Sequence, residues 1–218
     1  MNAANSMKEK ILSVIDSALQ EYSNMHGEIA VAYEKNILWH HSFSYNDAPW
    51  VAPKNSQYLI GSITKQFTAV ALLKALEDLD DKSNKDAHEN IIDALHKPIS
   101  SFFNHNLNNI FNNEVPSWVG CVSLHHLLTH TSGIKKENET RLSSELDFEP
   151  GKKFCYLNAG YVLIGKIIES IVGYSIETYF KDVLFVPSGM QVTYFPRSGT
   201  PNQIKSKDQF NKLALGFG

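Results

Sequence analysis

Apolar and polar positions in the first part of the chain change from a helical to a strand-like spacing. Residues 7–22 carry apolar side chains three and four positions apart, which predicts an amphipathic helix. Residues 28–33 and 37–45 are rich in β-branched and aromatic residues, and the polar link 34–36 suits a hairpin between two strands. Residues 47–56 contain two prolines and predict a loop.

The middle of the chain has a mostly helical pattern. A helix is predicted at 62–79, and its residues 67–73 are apolar on nearly every side. This pattern is typical of a helix that is buried in a core rather than lying on it. The charged residues 80–89 predict a solvated loop, and residues 91–114 predict short helices and turns.

Two longer helices are predicted after a short one in the second half of the chain. Residues 123–128 predict a short helix that ends in a turn, and residues 135–150 predict a polar loop. A helix follows at 159–172, where Gly173 provides the glycine that often ends a helix. Another helix is predicted at 176–184.

Composition and charge narrow the classes of partner. The 218 residues are 43% hydrophobic and 20% charged, which is ordinary for a globular domain. The formal net charge is −3 and the lysines and arginines form no basic stripe, so nucleic acid is not expected as a partner. No apolar run is long enough to predict a membrane span.

The N-terminus and the cysteines bear on the compartment. Residues 1–10 are polar and no apolar stretch of a signal peptide follows them, which predicts a cytoplasmic location for the chain as written. If a signal peptide has been removed, the location would be periplasmic or secreted. Cys121 and Cys155 could pair or stay free, and we expect two small buried thiols.

The first candidate for chemistry is the pair Ser62 and Lys65 at the start of the second helix. Positions three apart share one face of a helix, so the hydroxyl and the ammonium groups can lie side by side. Serine is a weak nucleophile that needs a neighbour to take or stabilise its proton. The alternative is a serine that caps the helix beside an exposed lysine, and the pair alone does not exclude it.

The second candidate is Tyr156 with Asn158, just before a predicted helix. Side chains two apart in an extended segment point the same way. A tyrosine hydroxyl can relay a proton, and an asparagine amide can both donate to a substrate carbonyl and accept from a lysine. The alternative is that Tyr156 is a core aromatic residue and Asn158 an N-cap.

Together these residues resemble the class C β-lactamase and penicillin-binding protein family, including its esterase and peptidase relatives. Ser62 and Lys65 match its Ser-x-x-Lys motif, and Tyr156 with Asn158 matches its Tyr-x-Asn motif. Three further stretches are similar to that family: its His-Thr-Ser-Gly loop at 130–133, the approach to its tyrosine at 148–154, and its Pro-Leu-Gly-Met segment at 187–190, in which Ser188 replaces leucine.

The resemblance implies a mechanism that needs no metal or organic cofactor. Ser62 would attack a carbonyl, its proton would pass toward Tyr156 and Lys65, and an acyl-enzyme would form. Asn158 would bind the substrate. The substrate would be a small molecule or a peptide, namely a β-lactam, a D-alanyl peptide or a carboxylic ester, and a cytoplasmic location favours the ester or another peptide.

The resemblance also implies an α/β (α+β) fold of the β-lactamase and transpeptidase type within a single domain, 1–218. Residues 1–61 would form the helix and hairpin of an antiparallel sheet with flanking helices, and residues 62–195 a mostly helical lobe. Residues 196–218 would begin the return to the sheet. The active site would lie in the cleft between these parts.

The third motif of the family, Lys-Thr-Gly or His-x-Gly on a later strand, does not follow Asn158 in this sequence. Arg197–Thr200 has similar chemistry, but it lies between Pro196 and Pro201, which suits a central strand poorly. We therefore expect the sequence to end before the C-terminal part of the family fold. Loss of one oxyanion donor costs about 10²–10³ in rate, which would leave such a form weakly active or inactive.

Two alternative functions remain at this stage. His125, His126 and His130 predict a metal hydrolase if they share an ion, although the glutamate of a His-Glu-x-x-His helix is missing. A non-catalytic scaffold or binding module is the other alternative, and the missing third motif favours it.

Overall fold

The computed structural model describes residues 3–21, 27–43, 58–81, 87–103, 107–112, 114–138 and 141–195. The chain forms two compact units. One includes the described residues up to Leu59, and the other spans Ile60–Phe195. The loop predicted at 47–56 and the segment 196–218, with Arg197–Thr200, lie outside the described residues.

The first unit consists of a helix and a hairpin, as its hydrophobic pattern predicted. Helix α1 spans Ala3–Glu21, and strands β1 (Gly27–Tyr33) and β2 (Asn36–Phe43) pair antiparallel. Glu34 and Lys35 connect the strands with φ angles of 48° and 71°. Two consecutive residues with positive φ are the mark of a tight hairpin turn whose twist matches that of the strands.

The second unit is mostly helical. Its α-helices and strands are α2 (Thr64–Asp81), α3 (Ala87–His96), α4 (Leu107–Ile110), α5 (Leu124–Leu128), β3 (Ile134–Lys136), β4 (Leu142–Leu146), α6 (Asn158–Val172) and α7 (Ile176–Phe180). Short 3₁₀ turns lie at Gly61–Ile63, Ile99–Phe102 and Ser117–Gly120, and a π-helical turn, Lys181–Phe185, continues α7. The helices, together with the small antiparallel sheets, give the α+β class that the sequence predicted.

Helices α2 and α6 pack against each other in the centre of the second unit. Leu72 on α2 and Ile164 on α6 are fully buried, and Trp118 adds the largest buried side chain. The prediction that α2 is buried all round is wrong, because Val70 and Leu73 are 52% and 40% exposed. One face of α2 therefore anchors the helix and places its first turn beside the start of α6.

Two predicted loops contain regular structure. The prediction for residues 80–89 is wrong at both ends, because α2 continues to Asp81 and α3 begins at Ala87. Residues 87–89 are Ala-His-Glu, and alanine and glutamate both favour helices. The prediction of a loop at 135–150 is also wrong, because β3 and β4 pair there. Strands this short carry too few residues for an alternating pattern to stand out.

The ends of the last helices partly follow prediction. Gly173 ends α6 in the left-handed conformation with φ of 85°, as expected. The helix predicted at 176–184 is α-helical only to Phe180 and then widens, since Val186 N–H donates to the Lys181 carbonyl.

The cysteines and the apolar helices complete the description. Cys121 and Cys155 are both free and exposed, so the expectation of buried thiols is wrong. Among the described helices, none alone is long and apolar enough to cross a bilayer. The stretch Asn158–Val172 meets the length and composition test only together with Ile176–Phe185, and the two are bent by 83°.

Candidate active site

Ser62 lies in the 3₁₀ turn that leads into α2, and Lys65 lies on the first turn of that helix. The Lys65 ammonium group donates a hydrogen bond to Ser62 Oγ over 3.2 Å. The Ser62 side chain is exposed, whereas Lys65 is half-buried. The three-residue spacing thus brings hydroxyl and ammonium together, and the alternative of an exposed, uninvolved lysine is wrong.

Tyr156 and Asn158 approach this pair from the start of α6. The Tyr156 hydroxyl and Ser62 Oγ form a hydrogen bond of 2.7 Å in which either can donate. Asn158 Oδ1 accepts a hydrogen bond from Lys65 Nζ over 2.7 Å. Leu157, not Asn158, is the N-cap of α6, and Tyr156 is 43% exposed rather than buried in a core. All four predicted residues therefore meet in one network.

Two aromatic rings also lie close to the Lys65 ammonium group. It lies 4.8 Å from the centroid of the Tyr156 ring and 5.5 Å from that of Tyr161. A cation at this distance is attracted to the negative face of a ring. The arrangement fixes one positive charge beside both Ser62 and Tyr156, where a proton would leave a hydroxyl.

Tyr161 belongs to this network but was not predicted. Its hydroxyl donates to the Leu128 carbonyl over 2.9 Å, and burial, followed by the nearby Tyr156, raises its pKa. Tyr161 therefore stays a neutral hydrogen-bond donor that links α6 to the end of α5. Its position three residues after Asn158, on one face of α6, is the signal that could have found it.

The loop after α5 supports the segment that carries Tyr156. The His130 carbonyl accepts from Cys155 N–H over 2.8 Å, and the Thr131 carbonyl accepts from Gly151 N–H over 2.8 Å. Gly133 has φ of 74°, and any side chain there would collide with the Phe148 carbonyl. The His-Thr-Ser-Gly loop is thus a platform for the residues that lead to Tyr156.

Two of the three histidines of the metal hypothesis use a ring nitrogen as the acceptor of a backbone hydrogen bond. His126 Nδ1 accepts from Ser123 N–H over 3.2 Å, and His130 Nδ1 accepts from Leu157 N–H over 3.1 Å. The His125 ring packs against His96, with centroids 4.9 Å apart. Within the described part of the chain, no three or more His, Cys, Asp or Glu residues are grouped to hold a metal ion.

Sequence comparison identifies related proteins along most of the chain. Penicillin-binding protein 4* of Bacillus subtilis is 28% identical over 90% of this chain and 44% of its own length. Protein flp of Staphylococcus aureus strain MW2 is 26% identical over 89% of this chain and 39% of its own length. The chain thus spans less than half the length of these curated relatives.

Solved structures show the same fold. The octameric penicillin-binding protein homologue from Pyrococcus abyssi has a TM-score of 0.65 and 28% identity, covering 95% of this chain and 47% of its own. A β-lactamase/D-alanine carboxypeptidase from Yersinia pestis, complexed with citrate, has a TM-score of 0.63 and 20% identity, covering 93% of this chain and 59% of its own. The sequence profile of the Beta-lactamase family matches residues 14–203. The chain belongs to the Beta-lactamase family.

Proposed function

We propose that this protein is a serine hydrolase that acts through an acyl-enzyme on Ser62, with Tyr156 as general base and Lys65 as their cationic partner. The single observation that supports this most strongly is the 2.7 Å hydrogen bond between Ser62 Oγ and the Tyr156 hydroxyl, with Lys65 Nζ 3.2 Å from Ser62 Oγ. A nucleophile, a base within hydrogen-bond distance and a group that orients both are the parts that nucleophilic catalysis requires.

Acylation begins when Ser62 Oγ bonds to the substrate carbonyl carbon and its proton passes to the Tyr156 oxygen. A tyrosine oxygen can take this proton only as a phenolate, and the nearby Lys65 ammonium supplies the positive charge that stabilises a phenolate. The bond from the carbonyl carbon to the leaving nitrogen or oxygen then breaks. Tyr156 then gives the proton to that atom and so acts as the general acid.

Deacylation repeats these steps with water as the nucleophile. Water gives a proton to the Tyr156 phenolate and adds to the acyl carbon, the ester bond to Ser62 Oγ breaks, and Tyr156 returns the proton to Ser62 Oγ. A carboxylic acid is released and Ser62 is regenerated. In this scheme the backbone N–H of Ser62, which lies in the 3₁₀ turn before α2, would donate to the oxyanion.

The substrate is a β-lactam, a D-alanyl peptide or a carboxylic ester, since each presents a carbonyl carbon that a serine oxygen can attack. The name of the Bacillus subtilis relative, a penicillin-binding protein, favours a β-lactam among these three classes. Asn158 would contact the substrate amide through its side chain, whose oxygen accepts a hydrogen bond from the Lys65 ammonium group over 2.7 Å.

The proposal is tested by intact-protein mass spectrometry after incubation with a fluorophosphonate, a penicillin and an activated ester. Wild type is compared with Ser62→Ala and with Ser101→Ala, a control at an exposed serine of another turn. We expect a mass increase in the wild type and in Ser101→Ala but none in Ser62→Ala.

Each other outcome contradicts the proposal in a different way. A mass increase that persists in Ser62→Ala would show that another group is the nucleophile. A folded wild type that gains no mass from any of the three reagents would contradict the enzyme function. That result would favour the alternative of a binding module.

A further inference from the structure

His130 holds the segment around Tyr156 at two points. Its backbone carbonyl accepts from Cys155 N–H over 2.8 Å, and its side-chain Nδ1 accepts from Leu157 N–H over 3.1 Å. The two hydrogen bonds therefore bind the residues on either side of Tyr156. The His130 ring also packs on the Tyr156 ring, with centroids 4.4 Å apart and planes inclined by 34°.

The backbone of His130 is bent so that both groups can face the same segment. Its φ angle is 57°, a left-handed conformation that few residues other than glycine adopt. The side chain is only 9% exposed and lies against Tyr161 as well, with ring centroids 5.2 Å apart. A buried residue in an uncommon backbone conformation needs compensating contacts, and these hydrogen bonds and rings provide them.

We propose that His130 is a positioning residue that sets the reach of Tyr156 to Ser62 and of Asn158 to Lys65, and that it does so only with a neutral ring. The inference rests on the proposed function, since it assigns a role in the same acylation step. It goes beyond that function because His130 contacts no reacting atom. It acts through Leu157 N–H and the face of the Tyr156 ring.

The state of the ring follows from its hydrogen bond. Nδ1 accepts from Leu157 N–H, so a neutral ring carries its proton on Nε2. Protonation would add the ring's second N–H group, at Nδ1, which would face the Leu157 N–H, and the hydrogen bond would be lost. Two donors cannot share one hydrogen bond, and the repulsion would push the segment around Tyr156 away from Ser62.

The surroundings favour the neutral ring. Burial lowers the pKa of His130 below its ordinary value of 6.5, and the positive charge of Lys65 lowers it further. Among the residues that the structure describes, the titratable ones in contact with it are Tyr156 before α6 and Tyr161 on α6, with Cys155 bound through its backbone N–H. Positioning is therefore complete above pH 6.5 and is lost as the pH falls through the lowered pKa.

Two substitutions separate the hydrogen bond from the ring contact. His130→Asn places an amide oxygen near the position of Nδ1, adopts positive φ readily and does not titrate. His130→Phe keeps a ring against Tyr156 but leaves Leu157 N–H without this acceptor. His125→Asn is the matched control, because His125 is exposed and its ring packs against His96 instead.

The readouts are the rate of acylation as a function of pH and a ¹H–¹⁵N spectrum of the His130 ring. We expect His130→Phe to acylate about 10²-fold more slowly than wild type, a loss typical of a misplaced group, and His130→Asn to recover most of that loss. The wild-type rate should fall below pH 6.5 with the midpoint of the His130 titration. His130→Asn should lack this fall, and His125→Asn should keep it.

Several results would overturn the inference. They are acylation of His130→Phe at the wild-type rate, a fall in the rate of His130→Asn below pH 6.5 that equals the fall in wild type, or a proton on Nδ1 of His130 at pH 8. If His130→Phe does not fold, the rate of acylation of His130→Asn at low pH is the deciding measurement. A wild type that is not acylated at all would instead refute the proposed function, and the ring spectrum, which needs no activity, keeps the two failures apart.

Discussion

The Lys65 ammonium group and the Asn158 side-chain oxygen form a 2.7 Å hydrogen bond that joins the first turn of α2 to the first residue of α6. The same ammonium donates to Ser62 Oγ over 3.2 Å. One lysine therefore ties together side chains from two helices whose packing forms the centre of the second unit. Substitution of Lys65 can therefore test its effect on the rate of acylation separately from any effect on the stability of the fold.

Lys65→Met should lower the rate of acylation by at least about 10²-fold, because it removes a preorganised positive charge beside the nucleophile and the base. The matched control is Lys74→Met on the same helix, where the lysine pairs with Glu77 and Asp78 over 2.9 Å at the surface. Exposed ion pairs contribute little to stability, so the control should acylate like wild type. Equal losses of acylation rate in the two variants would show that the loss comes from a general disturbance of α2 and not from the charge beside Ser62.

Tyr156→Phe should lower the rate of acylation by about 10²–10⁴-fold while the thermal unfolding temperature stays unchanged. The substitution removes only the hydroxyl that bonds Ser62 over 2.7 Å. Tyr174→Phe is the control, because that side chain is 44% exposed, close to the 43% of Tyr156, and its ring packs on Tyr179 instead. An unchanged rate in Tyr156→Phe would remove this residue from the mechanism.

The sequence predicted part of the site because some of its geometry is local. Ser62 and Lys65 lie three residues apart on one helical turn, so their contact follows from helix geometry. Tyr156 lies 94 residues from Ser62, and only resemblance to a family could bring them together. The role of His130 was missed, because it depends on a tertiary hydrogen bond to Leu157 that no spacing reveals.

The fold was predictable to a similar depth. The first hairpin carries strands of seven and eight residues, long enough for a composition signal. Strands β3 and β4 have three and five residues, and their pairing depends on Gly133, whose carbonyl accepts from Asp147 N–H over 2.8 Å. That contact arises from the turn before the strand, not from an alternating pattern within it.

Lowering the pH should destabilise the cap of α5 through His126. Ser123 N–H donates to His126 Nδ1, and His126 N–H donates to Ser123 Oγ, so the two residues cap the helix reciprocally. Burial lowers the pKa of His126, and the charges of His125 and His96 lower it further. The neutral ring is favoured in the folded state, so its contribution is complete above 6.5 and lost as the pH falls through the lowered pKa.

His126→Gln tests this effect, because glutamine can complete the same cap without titrating. The unfolding temperature of the variant should rise relative to wild type as the pH is lowered from about 7.5 to about 5, the range in which histidine titrates. His130 is present in both proteins, so its contribution to the difference cancels. Parallel curves over that range would mean that protonation of His126 does not weaken the cap.

Gly133→Ala should destabilise the platform beneath Tyr156. Gly133 has φ of 74°, and an added Cβ would collide with the Phe148 carbonyl, so the backbone of the His-Thr-Ser-Gly loop would have to move. A left-handed residue with a side chain costs roughly 1–2 kcal/mol before any collision, so the free energy of unfolding in urea should fall by at least that amount.

Gly120→Ala is the control, since a Cβ there meets nothing within 4 Å. Its free energy of unfolding should change by no more than about 0.5 kcal/mol, as is usual for a surface substitution. Equal values for the two variants would show that the loop can shift without cost, and Tyr156 would then need another support.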